Sequence, residues 1–169
     1  MLRDRQPRTQ VPSVRLSVYG AGHLREQLEQ LKIELGIDTQ IQLMGEKADI
    51  HSRICTAKAF VMSSDYEGLP NALMEAMSIG LPCISTDCSP GGARMLIKNR
   101  ENGIIVPCDD ADALAAALKE VLTDRNLART IGNNAVSLRN KVDSRSIAHA
   151  WLSLLGELVE PATRDFHIE

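Results

Sequence analysis

The sequence predicts an α/β protein: a parallel sheet in three layers, with helices on both faces. Three observations carry this expectation. Short apolar runs such as Ala59-Phe60-Val61-Met62 and Pro82-Cys83-Ile84-Ser85 have the length and composition of strands buried on both sides. Segments with apolar residues three and four apart, the helical period, alternate with those runs. Glycine or proline punctuates the junctions, marking short turns. Regular alternation of this kind builds βα units and a parallel sheet. No internal repeat or low-complexity segment interrupts it.

The elements follow in order. Arg15 to Tyr19 reads as the first strand, ending at Gly20-Ala21-Gly22. His23 to Leu35 is helical on Leu24, Leu28, Leu31 and Leu35, and Gly36 stops it. Ile41 to Met44 is a second strand, ending at Gly45. Asp49 to Lys58 is a helix with Asp49 in its first turn, where the helix dipole favours an acid. Ala59 to Met62 is the third strand, Asn71 to Ile79 a helix closed by Gly80, and Pro82 to Ser85 the fourth strand. Gly91-Gly92 precede a short helix through Ile97, and Gly103 to Pro107 holds a fifth, edge-like strand. Asp110 to Leu122 is an alanine-rich helix with Asp109 or Asp110 as its cap. Two more helices run from Asn126 to Asn140 and from Ser144 to Val159. Residues 1–13 read as a flexible segment, 14–160 as the domain, and 161–169 as a loose tail. On the last helix Ile147, Trp151, Leu152, Leu155 and Leu158 form an apolar stripe. That stripe either docks on this domain or, without a partner domain to cover it, is left partly exposed and could drive self-association.

At 169 residues the chain suits one domain, and a domain of this size buries roughly 70% of its unfolded surface. A net charge of −3 gives no whole-chain case for nucleic acid or an anionic membrane, and 3% aromatic residues make a poor base-stacking platform. The cysteines, Cys55, Cys83, Cys88 and Cys108, have no C-x-x-C spacing. Cys55 and Cys83 read as small core residues, and Cys88, just past a strand, is a candidate for exposure. A reducing compartment fits best. No run nears the ~20 apolar residues of a spanning helix and no signal peptide opens the chain, so a cytoplasmic location is expected. His51, His149 and His167 have no metal spacing with one another or with the cysteines, so no bound metal and no cofactor is expected.

Two carboxylates stand out. Glu67 falls in the loop after the third strand, and Glu75, with seven residues between them, falls about one turn into the next helix. In open α/β sheets the carboxyl ends of the strands are where ligands bind, and a loop residue and a helix residue there can face one crevice. Gly68-Leu69-Pro70-Asn71 offers backbone amides at a helix start, Leu69 and Asn71 in particular because proline has none. Gly20 and Gly22 allow close backbone approach of an anion at the first helix, or simply make a tight turn. His23 could reach a phosphate or hydroxyl, or have no role. Lys47, Arg94 and Glu75 each also read as ordinary solvated charges.

The ordered string Ser63-Ser64-Asp65-Tyr66-Glu67-Gly68-Leu69-Pro70-Asn71, Glu75-Ala76-Met77-Ser78-Ile79-Gly80-Leu81-Pro82, Thr86-Asp87, Gly91-Gly92 and Glu101-Asn102-Gly103-Ile104-Ile105-Val106-Pro107 resembles glycosyltransferase family 4 (group 1), the retaining E-x7-E nucleotide-sugar transferases. The likeness runs from about Leu16 to Leu122 and is to the C-terminal donor-binding domain, a Rossmann-like half of a GT-B architecture. Ser89 to Arg94 is similar to the subgroup that builds bacterial surface glycans, although Met95 stands where that subgroup has glutamate. By this resemblance Glu67 lies near the donor sugar, Glu75 accepts from the ribose hydroxyls, Gly68 to Asn71 lie along the diphosphate, and the loop with Gly45 and Lys47 meets the nucleobase. The implied donor is a nucleoside diphosphate sugar, a UDP-sugar first. The implied acceptor is a glycan or lipid-linked oligosaccharide at the inner face of the plasma membrane.

In that family a strand and helix before the first strand carry an arginine and a lysine that clamp the diphosphate, and residues 1–13 are too short and polar to supply them. The acceptor-binding N-terminal domain is likewise expected to be missing, leaving the chain incomplete at its N-terminal side and inactive alone. Two other readings stay open: a sugar-nucleotide epimerase of related architecture, and a non-catalytic nucleotide- or protein-binding module that kept the fold.

Overall fold

The computed structural model describes residues 14–159, with side chains through Leu158. The segments 1–13 and 161–169, expected to be flexible and loose, lie outside the described residues. The chain divides into two compact units, one through Arg53 and one from Ile54 onward.

The first unit holds β1 (Leu16–Tyr19), α1 (Arg25–Glu34), β2 (Ile41–Gly45) and most of α2 (Ile50–Ile54). The strands pair in parallel, Leu16 beside Ile41 and Val18 beside Leu43, and the register shifts before Tyr19. The leucine stripe of α1 forms as the periodicity predicts, yet Leu24, Leu28, Leu31 and Leu35 all remain exposed. Two strands and a long helix enclose too little volume to bury a stripe of that size. α2 is shorter than expected because the chain turns at its end, where the Ala57 N–H donates to Ile54 O at 2.8 Å. Asp49, expected in the first turn, instead stands just before the helix. It accepts from Arg53 Nε at 2.7 Å, and this bond holds its carboxyl below the ordinary range.

The second unit carries a three-stranded parallel sheet in the order β3 (Phe60–Met62), β4 (Cys83–Thr86), β5 (Ile104–Val106). Phe60 pairs with Cys83, and Ile84 with Ile104. β4 is buried along its whole length. Its side chains alternate between faces, as period-two geometry requires. Cys83 joins Leu73, Ala76, Met77, Ala93, Ile97 and Leu138 on one face, under α3 (Asn71–Ser78) and α4 (Gly92–Leu96). Ile84 joins Ala117, Val121 and Ile131 on the other, under α5 (Ala111–Thr123) and α6 (Arg125–Ala135). Helices therefore cover both faces of a parallel sheet, the predicted α/β class, with the ladders drawn as two sheets of two and three strands.

The caps explain several boundaries. Asp110 accepts from Ala113 N at 2.8 Å and opens α5. Asp124 accepts from the N–H groups of Asn126 and Leu127 at 2.9 and 3.0 Å, which starts α6 one residue earlier than expected. The helix expected to reach Asn140 breaks instead into a 3₁₀ turn at Val136–Leu138 and then α7 (Arg139–Val142). There Ser137 Oγ bonds back to Asn134 O at 2.7 Å, and the Arg139 guanidinium donates to Ser78 O at 2.7 and 3.0 Å. A back-bonding serine and a long-range tether both favour a bend over a continuous helix. The last helix, α8, spans Ser144–Val159. No helix among the described residues is long and apolar enough to cross a membrane.

Two cysteine readings change. Cys55 is exposed, because α2 ends before it; Cys88 is buried, because the turn after β4 folds inward. Burial pushes the Cys83 thiol up to about 12. None of the four is in a disulfide.

Candidate functional site

In the second unit the loops at the carboxyl ends of β3 and β4 meet. The Glu67 N–H donates to Ser89 O at 3.0 Å, and Tyr66 and Ser89 form an isolated parallel bridge. The half-buried Glu67 carboxylate accepts from Ser64 Oγ at 2.9 Å. Ser64 is itself anchored, since its carbonyl accepts from Thr86 Oγ1 at 2.6 Å. Thr86 is buried at the end of the central strand. Glu67 thus hangs from the sheet through Ser64 and Thr86, neither of which sequence reasoning singled out as functional. The only signal for Ser64 in the sequence is its position three residues before Glu67.

Next to it the loop is pressed against α4. A β-carbon added to buried Gly92 would lie 1.7 Å from Gly68 O and 2.8 Å from Pro70 Cδ. Only a glycine lets these two backbones approach so closely. Gly91 stands at the N-cap in a left-handed conformation, φ 104°. The sequence showed this Gly-Gly pair, but not that the second glycine faces the Glu67 loop.

Pro70 is buried and forms the N-cap of α3 without any side-chain cap. The first amides of a helix have no partner within it. With the dipole, the amino end of α3 therefore favours an anion. Gly68, Leu69 and Asn71 around it are exposed. Asn71 and Glu75, four residues apart, share one side of α3, away from buried Leu73, Ala76 and Met77. Glu75 is half-buried.

Arg94 Nε stands 2.7 Å from Asp87 Oδ1, and its guanidinium also lies over Gly91. Cys108, after β5, places Sγ 4.0 Å from Ser64 O. Desolvation first, then the nearby Cys88 thiol and acidic groups, raises the Cys108 thiol above its ordinary value.

In the first unit the turns after β1 and β2 are tied together, Gly20 N–H donating to Gly45 O at 3.0 Å. Both glycines have positive φ, 128° and 68°. A β-carbon at Gly20 or Gly22 would meet nothing within 4 Å, so packing does not require glycine at either. His23 and Lys47 are exposed in these turns. Arg25, three residues past Gly22, was not foreseen: its Nη2 donates to Leu43 O at 2.9 Å, beside Gly45. Among the described residues no group of three or more His, Cys, Asp or Glu could hold a metal ion.

A parallel α/β sheet whose carboxyl-edge loops present Glu67, an uncapped helix start and Glu75 belongs to a known class. The family model for glycosyl transferases group 1 matches residues 3–137, and the chain belongs to that family. It is 29% identical over 146 residues to the lipopolysaccharide core biosynthesis glycosyltransferase LpsE of Rhizobium meliloti, covering 86% of this chain and 42% of that protein. It is 33% identical over 141 residues to an α-1,4-N-acetyl-D-galactosaminyltransferase of Campylobacter jejuni named for a diphosphoundecaprenol-linked GalNAc oligosaccharide, covering 83% and 38%. Among solved structures, Anabaena Alr3699/HepE in complex with UDP superposes with a TM-score of 0.81 at 22% identity, covering 86% of this chain and 42% of that one. The sucrose-phosphate synthase of Thermosynechococcus elongatus gives 0.74 at 26%, covering 90% and 40%. These structural neighbours are GT-B enzymes. The chain spans about two-fifths of the length of these relatives.

Proposed function

We propose that this chain is the donor-binding part of a retaining glycosyltransferase. The whole protein would move a hexose or N-acetylhexosamine from a UDP-sugar to a glycan or lipid-linked acceptor, working in the cytoplasm at the inner membrane face. The observation that carries this reading is the half-buried Glu67, held by Ser64 beside the uncapped start of α3, in a chain of the group 1 family. The choice of UDP is supported by a neighbour solved with UDP-glucose and by an Escherichia coli relative named for UDP-Gal.

The proposed roles follow from chemistry. The amides at the start of α3, with Gly68, Leu69, Pro70 and Asn71 shaping that turn, receive the diphosphate and stabilise it as a leaving group. Glu75 accepts from two vicinal ribose hydroxyls at once, which a carboxylate can do. Glu67 faces the sugar and offsets the positive charge that develops on it. No covalent enzyme nucleophile is invoked; attack proceeds on the same face as departure. Gly20, Gly22, Gly45 and Lys47, with His23, are proposed as donor contacts in the first unit, tested separately by Lys47→Ala. We further propose that the 169-residue chain alone binds nucleotide but transfers no sugar, since the relatives it matches are more than twice as long.

The test is calorimetric titration with UDP, with GDP and Glu75→Ala beside it. Micromolar to millimolar binding of UDP, weakened about tenfold or more in the variant, is expected from the loss of two charge-assisted hydrogen bonds. A preference for GDP would change the donor. Absence of binding to either, in this chain and in one extended at its amino end, would sink the reading.

A further inference from the structure

The segments just past the carboxyl ends of β4 and β5 each carry a cysteine that the candidate site does not use, Cys88 and Cys108. The two strands run in parallel with Ile84 beside Ile104 and Thr86 beside Val106. The Asp87 N–H donates to Val106 O at 2.8 Å, so the ladder continues past the end of β4. Two residues beyond Thr86 and Val106, the same register sets Cys88 opposite Cys108. Period two returns both to the face that holds Ile84, Ile104 and Val106. Ser64 O gives a second fix on Cys108, because Thr86 Oγ1 reaches it at 2.6 Å and Cys108 Sγ at 4.0 Å. The Cys108 thiol also feels its neighbour: desolvation raises it first, and Cys88 is the next cause. Paired strands stand ~4.7–4.9 Å apart, inside the ~4.4–6.8 Å between α-carbons that a disulfide spans.

We propose that Cys88 and Cys108 are a reversible dithiol–disulfide pair, a modification site oxidised by exchange with a small disulfide of the glutathione class. The two cysteines divide the work. Cys108 is half-buried, so a small disulfide reaches it, whereas Cys88 is 1% exposed and meets only its neighbour. The Cys108 thiolate attacks one sulfur of glutathione disulfide; that S–S bond breaks, a mixed disulfide forms, and the first glutathione departs. Cys88 Sγ then attacks Cys108 Sγ, and the second glutathione departs. Each glutathione leaves with an electron pair and takes up one cysteine proton. Two protein thiols are thus oxidised by two electrons, and one glutathione disulfide is reduced to two thiols. Cys83 takes no part, since it lies at the other end of β4 and on the opposite face. The bond ties the turn after β4, whose Ser89 carbonyl receives the Glu67 amide, to the end of β5. None of this requires that the site bind UDP.

The experiment uses the 169-residue chain carrying Cys55→Ser, which removes the exposed thiol. The folded chain is incubated with millimolar glutathione disulfide, quenched with acid, alkylated and weighed intact. The expected product has lost two alkylatable thiols and two hydrogens and carries no glutathione, and dithiothreitol restores both thiols. Cys88→Ala should stop at the mixed disulfide, with one glutathione on Cys108. Cys108→Ala should stay reduced, and Cys83→Ala should oxidise like its parent. In urea, pairing should scatter over Cys83, Cys88 and Cys108, because only the fold selects one pair. If Cys88→Ala fails to fold, the Cys83→Ala chain still decides, since its remaining thiols are Cys88 and Cys108 alone. A Cys108 that stays glutathionylated with Cys88 intact, a bond through Cys83, pairing no more selective than in urea, or no loss of thiols from the folded chain would each overturn the proposal.

Discussion

Gly92→Ala is the most informative single substitution in the second unit. The added methyl carbon would lie 1.7 Å from Gly68 O, 2.8 Å from Gly68 C and 2.8 Å from Pro70 Cδ. Carbon and carbonyl oxygen approach to roughly 3.3 Å at best, so one wall must retreat by about 1.5 Å. Neither wall is a flexible side-chain end; one is loop backbone and the other the first turn of α4. Overpacking of this kind costs about 1–3 kcal/mol, and the upper end is expected here. In a domain of this size that lowers Tm by roughly 6–10 °C. The retreating wall is also the loop that holds Glu67 and leads into α3, and a misplacement of ~1 Å costs up to about 100-fold where geometry matters. Gly132→Ala is the control. Its added carbon would lie 2.5 Å from Gly80 O, again against backbone, but where α6 crosses the end of α3. Thermal unfolding and UDP titration of both variants separate the two effects. Both should be destabilised, and Gly92→Ala alone should weaken UDP binding by at least tenfold. Equal loss of affinity in both variants, or an unchanged Tm in Gly92→Ala, would refute the reasoning.

Two further outcomes are expected. Ser64→Ala removes the donor to Glu67 Oε1 and Thr86→Val removes the 2.6 Å bond to Ser64 O; each should lower stability by about 1–2 kcal/mol in urea unfolding, and the loss of UDP-sugar affinity should be no more than additive in the double variant, since both act through one anchor. Toward a thiol reagent Cys55 should react first and Cys108 more slowly, whereas Cys83, with its thiol pushed up to about 12, and buried Cys88 should react only on unfolding; fast labelling of Cys83 in the folded chain would contradict its burial.

What the sequence revealed depended on how local the cause was. β4 was readable because Pro82 to Ser85 is apolar on both sides of the pleat, and both sides are indeed covered. The cap Asp110, the stop at Gly80 and the placement of Glu67 in a loop and Glu75 on a helix follow from residues within a few positions of one another. The misses have partners far along the chain. Ser64 matters through Thr86, 22 residues away; Gly92 through Gly68; the bend near Arg139 through Ser78, 61 residues back. Helical periodicity predicted which face of α1 is apolar but not whether anything would cover it, because burial belongs to the neighbours and not to the stripe. Cys55 and Cys88 changed places for the same reason: apolar flanks report local composition, while one helix ending early and one turn folding inward decided their exposure.

The sequence left Arg94 open between a phosphate partner and a surface charge, and its surroundings favour a third role. Its Nε stands 2.7 Å from Asp87 Oδ1, a buried oxygen with no hydrogen-bond partner of good alignment, so the pair is an ion pair more than a hydrogen bond. The guanidinium folds back over Gly91, the left-handed N-cap of α4. Arg94 thus spans the turn from the end of β4 to the start of α4, the same turn whose Ser89 carbonyl receives the Glu67 amide. Removing it leaves the Asp87 oxygen buried and uncompensated, a cost of about 1–2 kcal/mol once discounted for the exposure of the guanidinium. Arg94→Ala should therefore lower Tm by several degrees. UDP affinity should fall no more than about threefold, less than in Glu75→Ala, because the guanidinium is already committed to Asp87. Asp87→Asn discriminates further: as a brace, Arg94 loses its partner and stability falls with affinity nearly unchanged; as a phosphate ligand, Arg94 is released and UDP binds more tightly. A tenfold loss of UDP affinity in Arg94→Ala at constant Tm would assign it to the diphosphate instead.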